Sequence, residues 1–475
     1  MRDKPLDKLH EECAVFGVSL KTPEAVGVTY NGLLSLQHRG QEGAGIAVVS
    51  GGVIVCRKEL GLVSEVFSGD KVKTIPPSCV AVGHARYSTT GGNCKENVGP
   101  FITEFLTGRI ATAHNGNITN AMELRKMLQG FGLRFAATSD SEVVSSLIAY
   151  RIIKEKNQLR GITKALGELK GAFSLCIATA DGQLVAVRDS HGLRPLCIGK
   201  SQNGLAVSSE SCALDATGFE LFCDVQPGEA VLIEAGRITK RFRISEARSP
   251  ELGLCIFEYV YFSRSDSVID GLSVYEARHN MGAILAEEHP AVADIVCGVP
   301  DSGLDAACGY ADASGLPLTT GFVKNRYVGR TFIYPTQVQR ASAVRIKLNP
   351  LSANIKGKRV VLVDDSIVRG TTIANIIKGL KTAGAKEVHL RISSPPFKFT
   401  CRYGTDVDSV ENLIANKFSI EEICKQIGAD SLGYISIEGL KKACAKSKGT
   451  FCSACFTGEG DHDNVSKNAL EGGAQ

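Results

Sequence analysis

The residues best suited to covalent chemistry are a thiol near the start of the chain and several donors downstream of it. In HEECAVFGV, Cys13 follows two glutamates and precedes a short apolar run. HNGNI supplies the side-chain amide of Asn115 and the backbone N–H of Gly116, two donors suited to a developing oxyanion. GHARYSTTG supplies Arg86, whose planar fork can hold an α-carboxylate, with Thr89 close by. The combination predicts a thiol nucleophile that attacks an amide.

Asp140 in TSDSE adds an acceptor for an ammonium group, so that the full set predicts a glutaminase. The base that takes the thiol proton is less evident, and both His84 and His114 stay open for this role. A cysteine at a chain terminus could use its own α-amino group, whose pKa of about 7.7–8.0 suits a thiol proton. Because that mechanism requires removal of residues 1–12, we predict that they are a propeptide.

A second set of chemical groups follows a buried strand in VVLVDDSIVRGTT, residues 360–372. The strand delivers Asp364 and Asp365 to the carboxyl edge of a sheet, and a loop rich in hydroxyls then leads into a helix. Backbone N–H groups of such a loop, together with the positive end of the helix, bind a phosphate dianion. Ser366, Thr371 and Thr372 can add hydroxyl donors. The paired carboxylates suit ribose hydroxyls or Mg²⁺.

The elements that position these groups differ between the two parts of the chain. From residue 13 to about 245, short strand-like runs alternate with helical patches, which predicts an α+β domain with stacked sheets. From about residue 290 the order becomes strand, loop and helix, which predicts a parallel, doubly wound sheet. A linker is expected near RISEARSPELG, and the tail after Gly458 is polar.

Composition excludes several classes of protein. The 475 residues carry 54 basic and 50 acidic side chains, and this net charge of +4 gives no argument for nucleic-acid binding. No apolar run approaches the roughly 18 residues of a membrane span, and the first residues lack the apolar core of a secretory signal. We therefore expect a cytoplasmic enzyme with two or three domains, no membrane partner and no nucleic-acid partner.

Most of the sixteen cysteines lie in apolar segments and are expected to be small buried side chains. Cys452 and Cys455 are different, because their C-x2-C spacing can chelate one metal ion or one cluster. Two thiols are insufficient, and the nearby Cys444 would give a zinc-like site. Spacing alone leaves the identity of the other ligands open.

VVLVDDSIVRGTT resembles the phosphoribosyl-pyrophosphate motif of type I phosphoribosyltransferases at nearly every position. The resemblance implies that GVPDSG holds the pyrophosphate and that Ser302 contacts one Mg²⁺ together with the two aspartates. It also implies that FVKNRYVGRTFIYP closes over the substrate. The residues expected to bind phosphoribosyl pyrophosphate are then Asp364, Asp365, Ser366, Arg369, Gly370, Thr371, Thr372, Lys324 and Arg330.

CAVFGV, LQHRGQEGAGI, GHARYSTTG and HNGNI resemble the class II, N-terminal-nucleophile glutamine amidotransferases. The resemblance implies an αββα domain over 13–245, followed by the phosphoribosyltransferase domain over 246–458 and a tail over 459–475. Two such domains on one chain imply transfer of ammonia from glutamine to phosphoribosyl pyrophosphate, through a channel, in the first committed step of purine synthesis. They also imply a homo-oligomer, expected to be a tetramer, that AMP, GMP and the purine diphosphates inhibit.

The iron–sulfur, Bacillus-like branch of enzymes with both domains implies ligands for the C-x2-C pair. It places a 4Fe–4S cluster, one per subunit, on Cys255, Cys401, Cys452 and Cys455. The role implied for this cluster is structural, because it would pin the linker and the C-terminal segment to the second domain.

Three alternatives stay open on the sequence. A glucosamine-6-phosphate synthase shares the nucleophile domain, but it has sugar-isomerase domains in place of VVLVDDSIVRGTT. A purine sensor could reuse the phosphoribosyltransferase fold, but it needs a DNA-binding module, and neither a helix-turn-helix segment nor a basic face is evident. A cluster-bearing interaction protein with an inert Cys13 is the third.

Overall fold

The computed structural model describes residues 13–87, 92–244, 252–325, 348–405 and 409–459. Two predicted site residues, Thr89 and Arg330, lie outside these ranges. So do the predicted propeptide, the predicted domain boundary at 245/246 and all but the first residue of the predicted tail. Among the described helices, none combines the length and the apolar composition that crossing a bilayer requires.

The first half of the chain forms two antiparallel sheets, because its short apolar runs alternate between two faces and end at glycine or polar turns. One sheet has the strand order β11-β9-β10-β1-β4-β2-β3 and the other has the order β13-β12-β8-β7-β6-β5. The strands are β1 (Ala14–Leu20), β2 (Gly43–Ser50), β3 (Val53–Leu60), β4 (Val80–Arg86), β5 (Phe101–Phe105), β6 (Gly108–Ile118), β7 (Gly171–Thr179), β8 (Leu184–Arg188), β9 (Cys197–Ser201), β10 (Gly204–Ser208), β11 (Glu220–Asp224), β12 (Glu229–Glu234) and β13 (Arg237–Arg243).

Helices cover the outer faces of both sheets. They are α1 (Ala25–Ser35), α2 (Val63–Val66), α3 (Ala121–Gly130), α4 (Asp140–Glu155), α5 (Gln158–Glu168) and α6 (Ser211–Ala216), with 3₁₀ turns at Gly69–Thr74 and Lys95–Asn97. Strand β1 illustrates the layering: Phe16 and Val18 pack with Leu33 of α1, whereas Val15 packs with Ala113 of the other sheet. Helices α3, α4 and α5 cover the far face of that second sheet. The predicted αββα fold is confirmed.

The second half is built around the parallel sheet β17-β20-β21-β22. The strands of this half are β14 (Leu254–Cys255), β15 (Val268–Ile269), β16 (Leu272–Ser273), β17 (Ile295–Gly298), β18 (Phe322–Lys324), β19 (Leu348–Pro350), β20 (Arg359–Asp364), β21 (Glu387–Ile392), β22 (Ser431–Tyr434) and β23 (Phe451–Cys452). The helices are α7 (Val274–Glu288), α8 (Gly303–Ser314), α9 (Ser352–Ile355), α10 (Thr371–Thr382), α11 (Ile414–Lys417), α12 (Ile420–Ile427), α13 (Ile437–Ala443) and α14 (Ala454–Thr457), with a π-helical turn at Glu258–Phe262 and a 3₁₀ turn at Val410–Asn412.

Helices pack on both faces of the parallel sheet because β20 is apolar on both sides. Val361 and Val363 pack against α7 and α8, whereas Val360 and Leu362 pack against α10 and α12. The isoleucines and the leucine of α10 recur at helical spacing and face this second cluster. The predicted parallel sheet with helices on both faces is confirmed.

Buried ion pairs join the two halves. The Arg188 guanidinium donates to both carboxylate oxygens of Asp270, at 2.8 and 2.9 Å. Arg39 donates to Glu258 of the second half at 2.8 Å and to Glu210 of its own half at 2.6 Å. Removing one member of a buried pair leaves an uncompensated charge, so these contacts strongly favour one arrangement of the two halves.

Candidate active sites and cysteine group

Cys13 lies directly before β1. The start of β1 is paired with the end of β4 in the antiparallel sheet. Ala14 stands opposite Ala85, and the thiol reaches the backbone of Tyr87 just beyond β4. The Sγ atom donates to the Tyr87 carbonyl at 3.4 Å and accepts from the Tyr87 N–H at 3.5 Å. Antiparallel pairing therefore brings the predicted nucleophile beside the strand that ends at Arg86.

Asn115 and Gly116 lie on β6, in the sheet stacked on that of β1. The Asn115 side chain is fully buried, and neither its nitrogen nor its oxygen has a hydrogen-bond partner among the described residues. A buried polar group left this way costs about 1–3 kcal/mol, which marks the amide as one awaiting a ligand. Gly116 has φ +139°, and a Cβ there would lie 2.1 Å from the Ala172 carbonyl oxygen, so only glycine fits.

Two buried histidines hold the sheets together at this point. The Nε2–H of His84 on β4 donates to the His114 carbonyl of β6 at 3.0 Å. Burial, and then the Arg86 charge, lowers the pKa of His84 to about 3, and burial also lowers the pKa of His114. Burial disfavours the protonated form of both imidazoles, so each is a weaker proton acceptor than a histidine in water. Neither histidine is therefore a good candidate for the base that takes the thiol proton.

Asp140 occupies the first position of α4, where the sequence placed an ammonium acceptor. Its Oδ2 accepts from the Ile118 N–H, at the end of β6, at 3.0 Å. The preceding Ser139 caps the helix by accepting from the Ser141 N–H. The carboxylate is therefore fixed against the strand that carries Asn115 and Gly116.

Asn97, which was not predicted from the sequence, links the segments of Arg86 and Asp140, the two residues predicted to bind glutamine. Its Oδ1 accepts from the backbone N–H groups of Thr138 and Ser139, at 2.9 and 3.0 Å, just before Asp140. Its Nδ2 donates to the Gly92 carbonyl at 2.8 Å, and the Arg86 guanidinium donates to the same carbonyl at 3.3 Å. No pattern in KENVG singles out this asparagine, because its role depends on three segments meeting.

The phosphate loop begins where β20 ends. Asp364 and Asp365 are both buried, and the Asp365 carboxylate accepts from the Ser366 hydroxyl. Gly370 has φ +86° at the start of α10, and a Cβ there would lie 2.7 Å from Ile414. The other predicted phosphate-binding positions stand at the turn into α10 and in its first residues: Arg369, Thr371 and Thr372.

The predicted pyrophosphate loop lies against the same strand end. The Ser302 hydroxyl donates to the Asp365 carboxylate. The Val299 N–H donates to the Val363 carbonyl at 2.8 Å, and a Cβ on Gly303 would lie 2.5 Å from that oxygen. Close backbone packing thus gathers Ser302, Asp364 and Asp365 at the carboxyl edge of the parallel sheet, as predicted.

Lys324 stands at the end of β18, at the start of the predicted closing loop. Its ammonium forms an ion pair with the exposed Asp301 carboxylate, next to Ser302. The start of the predicted closing loop therefore lies beside the predicted pyrophosphate loop. The rest of the predicted loop, residues 326–335, lies outside the described residues.

Four cysteines meet where the two halves of the chain join. Cys255 and Cys452 are opposite each other in the parallel pair β14 and β23. Burial, followed by the nearby thiols of Cys255, Cys401 and Cys452, raises the pKa of Cys455 well above its usual value. The Cys255 N–H donates to the Leu193 carbonyl of the first half at 3.1 Å. These are the four residues that the resemblance implied.

Cys444 differs from Cys455 in the cause of its raised pKa. Burial alone raises the pKa of its thiol to about 12, with no contribution from another thiol. In the part of the chain that is described, no three His, Cys, Asp or Glu side chains are arranged to hold a metal ion. A four-iron cluster requires a different arrangement, because each thiolate binds a different iron. Its four cysteine sulfurs are therefore farther apart than four sulfurs that bind one metal ion. The four neighbouring thiols fit that donor set.

Comparison with known proteins assigns both halves. Residues 84–216 match the glutamine amidotransferase domain family, and residues 272–394 match the phosphoribosyl transferase domain family. The amidophosphoribosyltransferase of Methanocaldococcus jannaschii is 45% identical over 460 residues, which are 94% of this chain and 97% of that protein. The amidophosphoribosyltransferase of Bacillus subtilis is 46% identical over 460 residues, 95% of this chain and 94% of that protein.

Solved structures agree. Glutamine phosphoribosylpyrophosphate amidotransferase from B. subtilis, complexed with ADP and GMP, matches with a TM-score of 0.86 at 44% identity. The match covers 94% of this chain and 97% of that one. A second structure, described as the allosteric regulatory enzyme of purine biosynthesis, matches with a TM-score of 0.87.

The fold and the two sites thus define a transferase that joins a glutamine amidotransferase to a phosphoribosyltransferase. The chain belongs to the amidophosphoribosyltransferase family. It converts glutamine, 5-phosphoribosyl 1-pyrophosphate and water into 5-phosphoribosylamine, glutamate and pyrophosphate, in purine biosynthesis. Membership of this family decides against the three alternatives that the sequence left open.

Proposed function

We propose that Cys13 is the nucleophile of the glutaminase half and that Asn115 and Gly116 form its oxyanion hole. The observation that carries this proposal is the buried Asn115 amide, which lacks a partner among the described residues, on the strand that His84 joins to β4. Sγ attacks the glutamine carboxamide carbon, the two donors hold the oxyanion, ammonia leaves, and water hydrolyses the thioester to glutamate.

Recognition of glutamine is assigned to residues that bind the two charged groups on its α-carbon. Arg86 binds the α-carboxylate with Thr89, and Asp140 binds the α-ammonium group. Asn97 supports this assignment, because it holds the segments of Arg86 and Asp140 through one set of hydrogen bonds. The thiol proton passes to the α-amino group of Cys13 once residues 1–12 have been removed, and then to the departing ammonia.

For the second half we assign the phosphoribosyl group to the loop of residues 365–372 and the pyrophosphate to the loop with Ser302. Ser302, Asp364 and Asp365 offer oxygen donors, the ligand type that Mg²⁺ prefers, and they would hold one ion there. Bound Mg²⁺ would neutralise charge on the departing pyrophosphate. Lys324 and Arg330 would add positive charge from the closing loop. The same loop would exclude water from the site and close the ammonia channel.

The four cysteines Cys255, Cys401, Cys452 and Cys455 are assigned to one 4Fe–4S cluster with a structural role. Support comes from the neighbouring thiols at the junction and from the thiols that act on Cys455. Iron and acid-labile sulfide in anaerobically purified protein should be lost in Cys401→Ser and kept in Cys444→Ser, because no other thiol contributes to the raised pKa of Cys444. Iron-free wild-type protein would contradict the assignment.

Regulation by nucleotides is a further part of the proposal. The B. subtilis structure is complexed with ADP and GMP, and we propose that AMP, GMP and purine diphosphates inhibit this chain by occupying the phosphate loop. The homotetramer, the domain boundaries at 245/246 and 458/459, and the cytoplasmic location stay predictions. Size-exclusion chromatography with light scattering tests the first of these.

The decisive experiment combines intact mass with activity. Protein purified without oxygen and then denatured should lack residues 1–12, so that Cys13 is the first residue. Its glutaminase rate should rise when phosphoribosyl pyrophosphate is added. Full glutamine-dependent activity in protein that retains residues 1–12 would refute the α-amino mechanism, and equal glutaminase rates with and without the second substrate would refute the coupling.

A further inference from the structure

A short segment of the second half lies directly on the predicted oxyanion strand. Residues 402–405 follow Cys401, and the Arg402 carbonyl accepts from the Asn117 side-chain amide at 2.8 Å. This contact joins residues 285 positions apart in the sequence. Over Ala113–Ile118, β6 is paired with β7, whereas β5 pairs only with residues up to Thr112. The segment therefore supports the part of β6 that has one strand neighbour.

Gly404 leaves no room for a side chain between the segment and β6. It is buried with φ +106°, and a Cβ there would lie 3.2 Å from the carbonyl carbon of Gly116 and 3.3 Å from the nitrogen of Asn117. Those two atoms belong to one peptide bond. The glycine thus lets the backbone of the second half lie flat against the peptide that follows Gly116.

The same segment is attached to the strand opposite. Arg194, which is fully buried, donates from its guanidinium to the Tyr403 carbonyl at 2.6 Å. The Arg194 carbonyl accepts from the Ser174 hydroxyl at 3.1 Å, and Ser174 stands opposite Asn115 in the pairing of β6 and β7. Both strands around the oxyanion donors are therefore tied to residues 402–405.

Gly116 needs such support because of its own backbone. At φ +139° it occupies a conformation that only glycine adopts readily, and glycine is also the residue with the greatest backbone freedom. Ala172 confines it from the β7 side, and Gly404 confines the following peptide. The direction of an oxyanion-hole N–H matters, because donors must point at the position that the oxyanion will occupy.

We propose that Gly404 is a positioning residue for glutamine hydrolysis: its contact with the Gly116–Asn117 peptide fixes the oxyanion hole from the phosphoribosyltransferase half. The inference rests on the proposed role of Asn115 and Gly116. In this proposal Gly404 acts on the rate through the Gly116–Asn117 peptide and not by contact with glutamine or with the Cys13 thiol.

The test compares Gly404→Ala with Gly182→Ala, a glycine of similar conformation (φ +87°) with open space around its Cβ position. A misplacement of 1 Å can cost 10²-fold in rate, and the smaller displacement expected in Gly404→Ala should lower the glutaminase kcat about tenfold. The KM for glutamine and the ammonia-dependent synthesis should stay within twofold of wild type. Alkylation of Cys13 by iodoacetamide, which uses no oxyanion donor, should be unchanged, and Gly182→Ala should match wild type throughout.

Asn117→Ala is the second variant, because it removes a hydrogen bond to the segment without straining the backbone. A loss of about threefold in glutaminase kcat, again with the KM unchanged, is expected from this gentler change. It decides the question if Gly404→Ala fails to fold. Glutaminase kcat within twofold of wild type in every variant that folds would overturn the proposal, as would equal losses in glutamine-dependent and ammonia-dependent synthesis.

Asn115→Ala separates this inference from the proposed function. If Asn115→Ala loses glutaminase activity while Gly404→Ala and Asn117→Ala keep it, the positioning role alone is wrong. If Asn115→Ala keeps full activity, the oxyanion hole is wrongly assigned and the positioning role falls with it.

Discussion

The two active sites of this chain are built in contrasting ways. The phosphate loop is one continuous stretch, because β20, the loop and the start of α10 are consecutive in sequence. Its carboxylates find hydrogen-bond partners within a few residues or in one neighbouring loop, as Asp365 does with Ser366 and Ser302. The glutaminase site instead collects residues from β1, β4, β6 and α4, and its buried Asn115 amide is left without a partner among the described residues.

The difference shows two ways in which a protein can bind a negatively charged group. A βα turn supplies backbone N–H groups and a helix terminus locally, so its geometry survives as long as one strand and one helix stay packed. An oxyanion hole assembled from separate strands depends on the stacking of two sheets and on contacts such as His84 with His114. We therefore expect the glutaminase half to be the more easily disabled of the two.

Cys13→Ala should give the largest effect and the cleanest separation of the two sites. Glutamine-dependent synthesis should fall by at least about 10³-fold, because the nucleophile is removed. Ammonia-dependent synthesis should persist, since the phosphate loop does not use the thiol. Parallel assays with glutamine and with ammonium chloride measure both, and equal losses would contradict independent sites.

Asn115→Ala should be the next most severe change. Loss of one oxyanion donor typically costs on the order of 10²–10³ in kcat. The KM for glutamine should change little, because this amide is expected to act in the transition state. Ammonia-dependent synthesis serves as the internal control, and an effect confined to the KM would remove Asn115 from the oxyanion hole.

Asp365→Asn probes the other site and should affect both reactions alike. Synthesis from glutamine and from ammonia should each fall roughly 10- to 100-fold, because both use the carboxylates beside the bound Mg²⁺ and ribose. The matched control is Asp312→Asn on α8, where an exposed carboxylate pairs with His279. A loss restricted to the glutamine reaction would show that the two sites share more than the comparison allows.

Asp270→Asn tests the ion pair that holds the halves together. The side chain keeps its shape, and asparagine tolerates the positive φ of +46° found there. Loss of the charge opposite buried Arg188 should lower the free energy of unfolding by about 2 kcal/mol. Urea denaturation measures this, with Lys73→Ala, from an exposed pair with Asp70, expected to cost well under 1 kcal/mol. Comparable losses in both variants would mean that the interface pair is energetically minor.

The last expected effect concerns pH. Burial, and then the Asp270 charge, raises the pKa of Asp224 to about 6, while Arg188 and Lys448 oppose the shift. An unfolded aspartate titrates near pH 3.9, so between about pH 4 and 6 the folded chain binds the extra proton and stability falls as pH rises. Asp224→Asn should remove this decline and be more stable than wild type at pH 7.5, with the difference vanishing below pH 4. Denaturation at both pH values decides, with exposed Asp215→Asn as the control.

The sequence was most informative where chemistry is local. The strand, the paired acids, the hydroxyl loop and the start of α10 are consecutive in VVLVDDSIVRGTT, so their order along the chain was enough to predict a phosphate loop at a strand end. The stacked sheets could also be predicted from the sequence, since strands with apolar residues on both faces must be covered on both faces. By contrast, nothing in the local pattern pointed to Asn97, Gly404 or the pairing of β14 with β23.

What the sequence determined by itself is the inventory: which residues can attack, donate and bind phosphate, and which of the two sheet types carries them. The tertiary structure decided which other residues surround them. It showed His84 and His114 buried with lowered pKa values, gathered four thiols from three distant segments, and laid Gly404 against Gly116. The physical reason is that burial, desolvation and close backbone approach depend on segments that meet only in the folded chain, whereas residue type and periodicity are properties of the chain itself.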